Sequence, residues 1–214
     1  MLDTVRRFLQ PTSMPTPTLK DRQDLWLWTY ANHCFTQVVA ACNFFLSPPA
    51  TPVPKAIHRL VIAGAIATYG KPFTHWKGVG RLDESIVPRV HMSIHQELMD
   101  LRHMLIAHVD AERFQADDPT FGNINQVRLS MTKEHHEIMV TDVAVEFPRP
   151  DKAKQLSEYL ESEMLQKMRG FAEAYIADSC LPSGEYRLNI DPKELRAFVP
   201  AAPLGSHQTP FRRN

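Results

Sequence analysis

The sequence predicts a mainly α fold, a bundle of about four helices with a small antiparallel β-hairpin or sheet as an extension. Three observations lead there. Long segments repeat apolar residues at the helical period, two runs between Gln126 and Phe147 alternate with period two, and proline-rich stretches punctuate the rest. At 214 residues the chain suits a single domain with extensions and can bury a sizeable core. The expected partition is a leader over 1–18, one helical domain over 19–199 with its hairpin at about 124–148, and a tail over 200–214. There is no internal repeat.

The first helix is expected from Leu19 to Leu46, where Leu25, Trp28, Phe35, Val39, Cys42 and Leu46 fall near a helical period. "SPPATPVP" stops it, because successive prolines remove donors and push the preceding residues out of the α region. A second helix, Pro54 to Tyr69, has proline at its start and Gly70 at its end, the usual asymmetry of helix ends. The loop Gly70–Pro88 follows, and then a third helix from Arg89 to His108 with Ile94, Leu98, Leu101 and Leu105 as its core stripe. "QVRLSMT" and "HEIMVTDVAVEF" read as two antiparallel strands around a solvated turn, "KEHHE". The alternation slips between Val140 and Val143, which predicts a bulge near Thr141 or Asp142. A last helix is expected over Asp151–Ser179, and "YRLNI" as a short strand added to the hairpin.

Composition narrows function by exclusion. Lys+Arg and Asp+Glu balance at 24 each, so any anion must be held by a local cluster, since the chain is no polycation. Three cysteines without CxxC spacing make neither a disulfide framework nor a zinc ribbon and suit a reducing compartment. The N-terminus lacks a long apolar core for a secretory signal, and "LVIAGAIATYG" is too short to span a bilayer. A soluble cytoplasmic chain without a membrane partner is expected.

Three constellations carry chemistry. The first is Arg102 with His108. A guanidinium fork fits a phosphate, and an imidazole titrates near neutrality and passes protons. Together they suit RNA cleavage without a metal, the histidine moving the proton of a 2′-hydroxyl or of the leaving oxygen and the arginine stabilising charge on phosphorus. On a straight helix six residues turn about 600°, leaving the two side chains roughly 120° apart and about 9 Å apart along the axis. Convergence therefore needs the helix to end near His108 or a second chain to bring its own pair. The bland alternative is an ion-paired Arg102 and a His108 that favours the helix C-terminus as a cation.

The second constellation is His91 and His95, an i, i+4 pair that can hold zinc, although "HMSIH" lacks the glutamate of HExxH. Exposed polar histidines, or His95 in one cleft with Arg102, are the readings set against metal, and no metal or cofactor is expected. The third is the loop "KPFTHWKGVGRL", in which Lys77, Arg81 and Trp76 mix basic and aromatic groups that can hold phosphates and stack bases; the favoured alternative is a plain interhelical loop whose Trp76 packs on the bundle. Its GxG lacks the strand and third glycine of a dinucleotide fingerprint. Trp26 and Trp28 cannot share one helix face; core packing is the default for both, with a subunit interface the alternative for one of them. The terminal "FRRN" is a small basic tail.

"ELMDLRHMLIAH" resembles the signature helix of HEPN-like proteins, whose motif is arginine, four to six residues, then histidine, often with a polar residue after the arginine. Arg102, His103 and His108 match those positions. The wider "KPFTHWKGVGRL…VP…H.ELMDLRHMLIAH.D" resembles a bacterial group with such a domain, near the abortive-infection type. The resemblance covers about Asp21 to Asp110. It implies a helical bundle that dimerises to join two motifs in one cleft, and metal-independent endoribonuclease activity in toxin or phage-defence systems, with a cognate antitoxin as a possible partner. Other members are silent modules that bind nucleotides or proteins. Arg102 and His108 would be catalytic with His103 beside them, Glu97 and His95 supporting, and Lys77, Arg81 and Trp76 on the RNA.

Overall fold

The computed structural model describes residues 16–47, 51–103, 126–131, 136–141, 147–177, 185–193 and 196–201. Over these the protein is mainly helical, with four α-helices and small antiparallel sheets. Helix α1 spans Leu19–Leu46. Its start is fixed by a reciprocal cap: Thr18 Oγ1 accepts from the Asp21 N–H at 3.2 Å, and the Asp21 carboxylate accepts from the Thr18 N–H at 2.8 Å. Helix α2, Lys55–Gly70, follows Pro54. A 3-10 turn at Arg89–His91 leads into α3, Met92–Arg102, with His103 at its C-cap. The rest of the expected third helix, including Leu105, lies outside the described residues.

The chain resumes in strand β1, Gln126–Met131, paired antiparallel with β2, His136–Thr141, from Gln126↔Thr141 to Met131↔His136. His136 and Glu137, which the expected strand and the expected turn both included, are strand residues. The register is regular through Thr141, and Asp142, the other position considered for a bulge, lies outside the described residues. Helix α4 spans Pro150–Tyr175 and packs along α1, while α2 packs between α1 and α3. Ser179, the expected end of the last helix, is outside the described residues.

One expected pairing is corrected. "YRLNI" does not join the hairpin: strand β3, Tyr186–Leu188, pairs with β4, Phe198–Pro200, as a separate two-stranded sheet. Buried Arg22 of α1 ties this sheet down, donating to the carbonyls of Asn189 at 2.8 Å and Arg196 at 3.5 Å. Phe198 meets Phe171 of α4 edge-on, with ring centroids 6.4 Å apart. The strand thus runs to Pro200, where the tail was expected to begin.

The core lies where the four helices meet. Phe35, Val38 and Cys42 of α1, Ile66 and Tyr69 of α2, Leu98 of α3, and Leu156, Leu160 and Met164 of α4 have no exposed surface. Among the described residues no helix is long and apolar enough to cross a membrane.

Candidate functional site

Arg102 occupies the last turn of α3, following His95 and Leu98 down one face, since residues seven and four apart share a helix side. That face points at α2. It is fully buried at His95 and Leu98 and half-buried at Arg102, where it reaches the end of α2. There the arginine stem lies directly on Gly70. A Cβ at Gly70 would sit 2.0 Å from Arg102 Cδ and 2.7 Å from Nε. The sequence suggested this glycine as a helix-end residue, but its φ is not positive; among the described residues the positive-φ glycines are Gly78 and Gly80. Gly70 is needed here for close approach. His103 is exposed beside Arg102. His108 lies outside the described residues.

Gly70 is also the root of the basic loop. Its carbonyl accepts from Thr74 Oγ1 at 2.9 Å, and the Leu82 N–H donates to the Pro72 carbonyl at 2.8 Å, closing the loop over buried Phe73. Trp76 and Gly80 exchange backbone hydrogen bonds, 2.9 Å each way, around a tight turn. Gly78 at φ 83° and Gly80 at φ 95° supply the left-handed backbone this turn requires. The indole N–H of Trp76 donates to the Lys71 carbonyl at 3.1 Å.

This fixes Trp76 edge-on to Tyr30, with centroids 5.7 Å apart, and Tyr30 in turn stacks on Trp26 at 5.2 Å. A partly exposed ladder of three rings results, with Lys71 and Lys77 exposed in the loop beside it. Trp26 and Tyr30 are one helical turn apart, so their i, i+4 spacing was the available signal, and reading Trp26 only against Trp28 missed it. Burial is the main cause that raises the Tyr30 hydroxyl and the Cys34 thiol above their ordinary pKa values; Lys71 acts on Cys34 in the opposite direction.

The other expected site residues go elsewhere. His95 is a core residue, neither exposed nor open to a cleft. Its Nδ1 is 2.7 Å from the Tyr69 hydroxyl, and its ring lies edge-on to Phe73 at 4.8 Å. Nε2 faces Glu84 Oε2 at 3.7 Å and makes no hydrogen bond among the described residues. Burial lowers the His95 pKa, with Glu84 pulling the other way. His91 lies against Tyr159 of α4 whereas His95 lies against Tyr69 and Phe73, so the two imidazoles of the i, i+4 pair face different neighbours. Among the described residues no three His, Cys, Asp or Glu side chains gather as metal ligands would.

Glu97, expected to orient the pair, is held by Arg149. Its Oε2 accepts from Nη2 at 2.6 Å and from Nε at 3.2 Å, and Nη2 also reaches Ser93 Oγ at 3.2 Å. Five residues along the helix put Glu97 roughly 140° from Arg102. Arg81 turns into a different groove, between α1 and α4. Of the expected residues, then, Arg102, His103, Trp76 and Lys77 belong to the two segments that meet at Gly70. Compared with known proteins, the chain matches no family model, no curated protein and no solved structure.

Proposed function

We propose that the protein is a metal-independent endoribonuclease of the HEPN type, which binds single-stranded RNA along the loop Gly70–Gly80 and cuts it at a cleft completed by a second copy. The observation that carries this reading is the seat of Arg102 on Gly70, at the root of a loop whose Trp76 extends the ladder of Tyr30 and Trp26 beside Lys71 and Lys77. Aromatic faces stack bases of any sequence, and lysines follow the backbone. Arg102 would then meet a phosphate held in that track.

In the proposed reaction His108 takes the proton of a 2′-hydroxyl, whose oxygen attacks the adjacent phosphorus. The bond to the 5′-oxygen breaks, that oxygen takes a proton from the protonated His108 of the second copy, and a 2′,3′-cyclic phosphate remains. Arg102 neutralises charge on the phosphorus oxygens as the transition state forms. Cleavage of a single-stranded RNA by purified protein in EDTA tests it, comparing wild type with Arg102→Ala and His108→Ala. Activity that survives chelation and falls at least a hundredfold in both variants supports the reading; equal activity in all three refutes it.

The competing reading is a silent module in which the same residues hold a nucleotide or a protein partner. Half-burial of Arg102 against Gly70 favours it, because a catalytic guanidinium needs open access to its phosphate. RNA that binds in a gel shift but stays intact selects this second reading. A toxin or phage-defence role, with its antitoxin, rests on the family resemblance alone.

A further inference from the structure

Arg81 lines a groove of about 320 Å³ between the first half of α1, the turn that follows Arg81, and α4. The size matches the lower end of small-ligand sites, about 300–1,000 Å³. Its apolar lining comes from buried Leu27 and Leu82 and from half-buried Trp28 and Ile86. Its charged lining comprises two cations, Arg81 and Lys167, and two carboxylates, Asp24 and Asp83.

We propose that this groove binds a small amphiphilic anion, a carboxylate or phosphate carried on a flat apolar body. The charges decide the sign. Asp24 is taken up by Lys20 one turn earlier on α1. Asp83 caps the next turn, where its Oδ1 accepts from the Ser85 N–H at 2.8 Å. Neither Arg81 nor Lys167 has a carboxylate within ion-pair distance among the described residues. Asp83 keeps its negative charge beside Arg81, whereas Lys20–Asp24 is a neutral pair, so the groove carries one net positive charge, with Lys167 as its uncommitted cation.

Lys167 is also held in place. Its ammonium lies 5.7 Å from the centroid of the Trp28 ring, a cation–π contact that keeps it at the groove wall. The indole thus has two tasks, supplying apolar surface to the ligand body and positioning one of the two groups that receive its head. Arg81 adds a planar fork that matches either a carboxylate or a phosphate. The site is separate from the RNA track, because Trp76 and Lys77 do not line it.

Calorimetric titration of the full chain with 1-naphthyl phosphate, 1-naphthoate, 1-naphthol and inorganic phosphate tests the proposal. Both naphthyl anions should bind, with naphthol and inorganic phosphate at least tenfold weaker, and the tighter anion identifies the head group. Arg81→Gln and Lys167→Gln should each weaken naphthyl binding about tenfold, and Ile86→Trp should block it by filling the groove. Lys152→Gln, which removes the same charge at the far end of α4, should leave affinity unchanged; circular dichroism confirms that each variant folds. No heat from wild type at millimolar ligand overturns the proposal. So does equal affinity for inorganic phosphate, or an equal loss in Lys152→Gln and Arg81→Gln.

Discussion

Gly70→Ala probes the junction between α2 and α3 directly. The added methyl would stand 2.0 Å from Arg102 Cδ and 2.7 Å from Nε, separations no real Cβ tolerates, so the arginine stem must move. Two opposing terms set the net effect. Alanine gains up to about 1 kcal/mol over glycine in a helix, less at a final residue such as this. The atoms it meets belong to the outer part of a flexible, half-exposed side chain, which can swing aside for about 1 kcal/mol, the low end of overpacking costs. In wild type the variant should therefore lose roughly 0–1 kcal/mol.

In an Arg102→Ala background the obstruction is gone, and Gly70→Ala should be neutral or stabilising by up to about 1 kcal/mol. The double-mutant cycle should give a coupling of about 1 kcal/mol from urea melts of the four proteins. RNA cleavage adds a second readout, since displacing Arg102 by about 1 Å should cost on the order of a hundredfold in rate. A Gly70→Ala effect equal in both backgrounds to within about 0.5 kcal/mol would refute the close-approach account, whatever the enzyme assay showed.

Three further outcomes are expected. Tyr69→Phe removes the hydroxyl bonded to His95 and leaves a buried imidazole nitrogen without a partner, so chemical denaturation should report a loss of about 1–3 kcal/mol. His95 itself should make stability depend on pH. Because its folded pKa is lowered, chiefly by burial, the unfolded chain binds more protons, so stability is full above pH 6.5 and falls as pH drops through the folded value. Urea melts from pH 8 to pH 5 should show this decline in wild type and a shallower one in His95→Gln; parallel curves would dismiss it. At Arg149, which holds a left-handed φ of 37° before α4, glycine should be tolerated better than alanine by about 1 kcal/mol, although both lose the ion pair to Glu97.

The parts of the fold that sequence made legible are those governed by local rules. Helix α1 begins and ends where expected, at Leu19 and Leu46, because the cap at Thr18 and the prolines after Ser47 act on neighbouring backbone. Gly70 was located by the habits of helix ends, but its physical reason, an arginine 32 positions later, is a tertiary one. His95 shows the limit most clearly. Periodicity put it on one stripe with Leu98, yet its residue type suggested exposure. The partners that let an imidazole be buried, Tyr69 and Phe73, are more than twenty residues away. Strand β4 was illegible for a similar reason: three residues ending in proline resemble a tail until Arg22, far back in the chain, is seen to hold the sheet.

Charge balance illustrates how a composition can be correct and still uninformative. A chain with 24 acidic and 24 basic side chains has no overall field to attract an anion. The structure, however, spends the two signs differently. Asp21 caps α1, Asp24 pairs with Lys20, Asp83 caps a turn, Glu97 holds Arg149, and Glu158 pairs with Lys154. Lys71, Lys77, Arg81, Arg102 and Lys167 make no ion pair among the described residues. Carboxylates paired with a lysine or arginine project little field beyond that partner, whereas unpaired cations on two faces remain available to ligands. A neutral protein can therefore present local anion sites wherever unpaired cations gather away from carboxylates. Salt should weaken binding at those sites even though it leaves the net charge untouched.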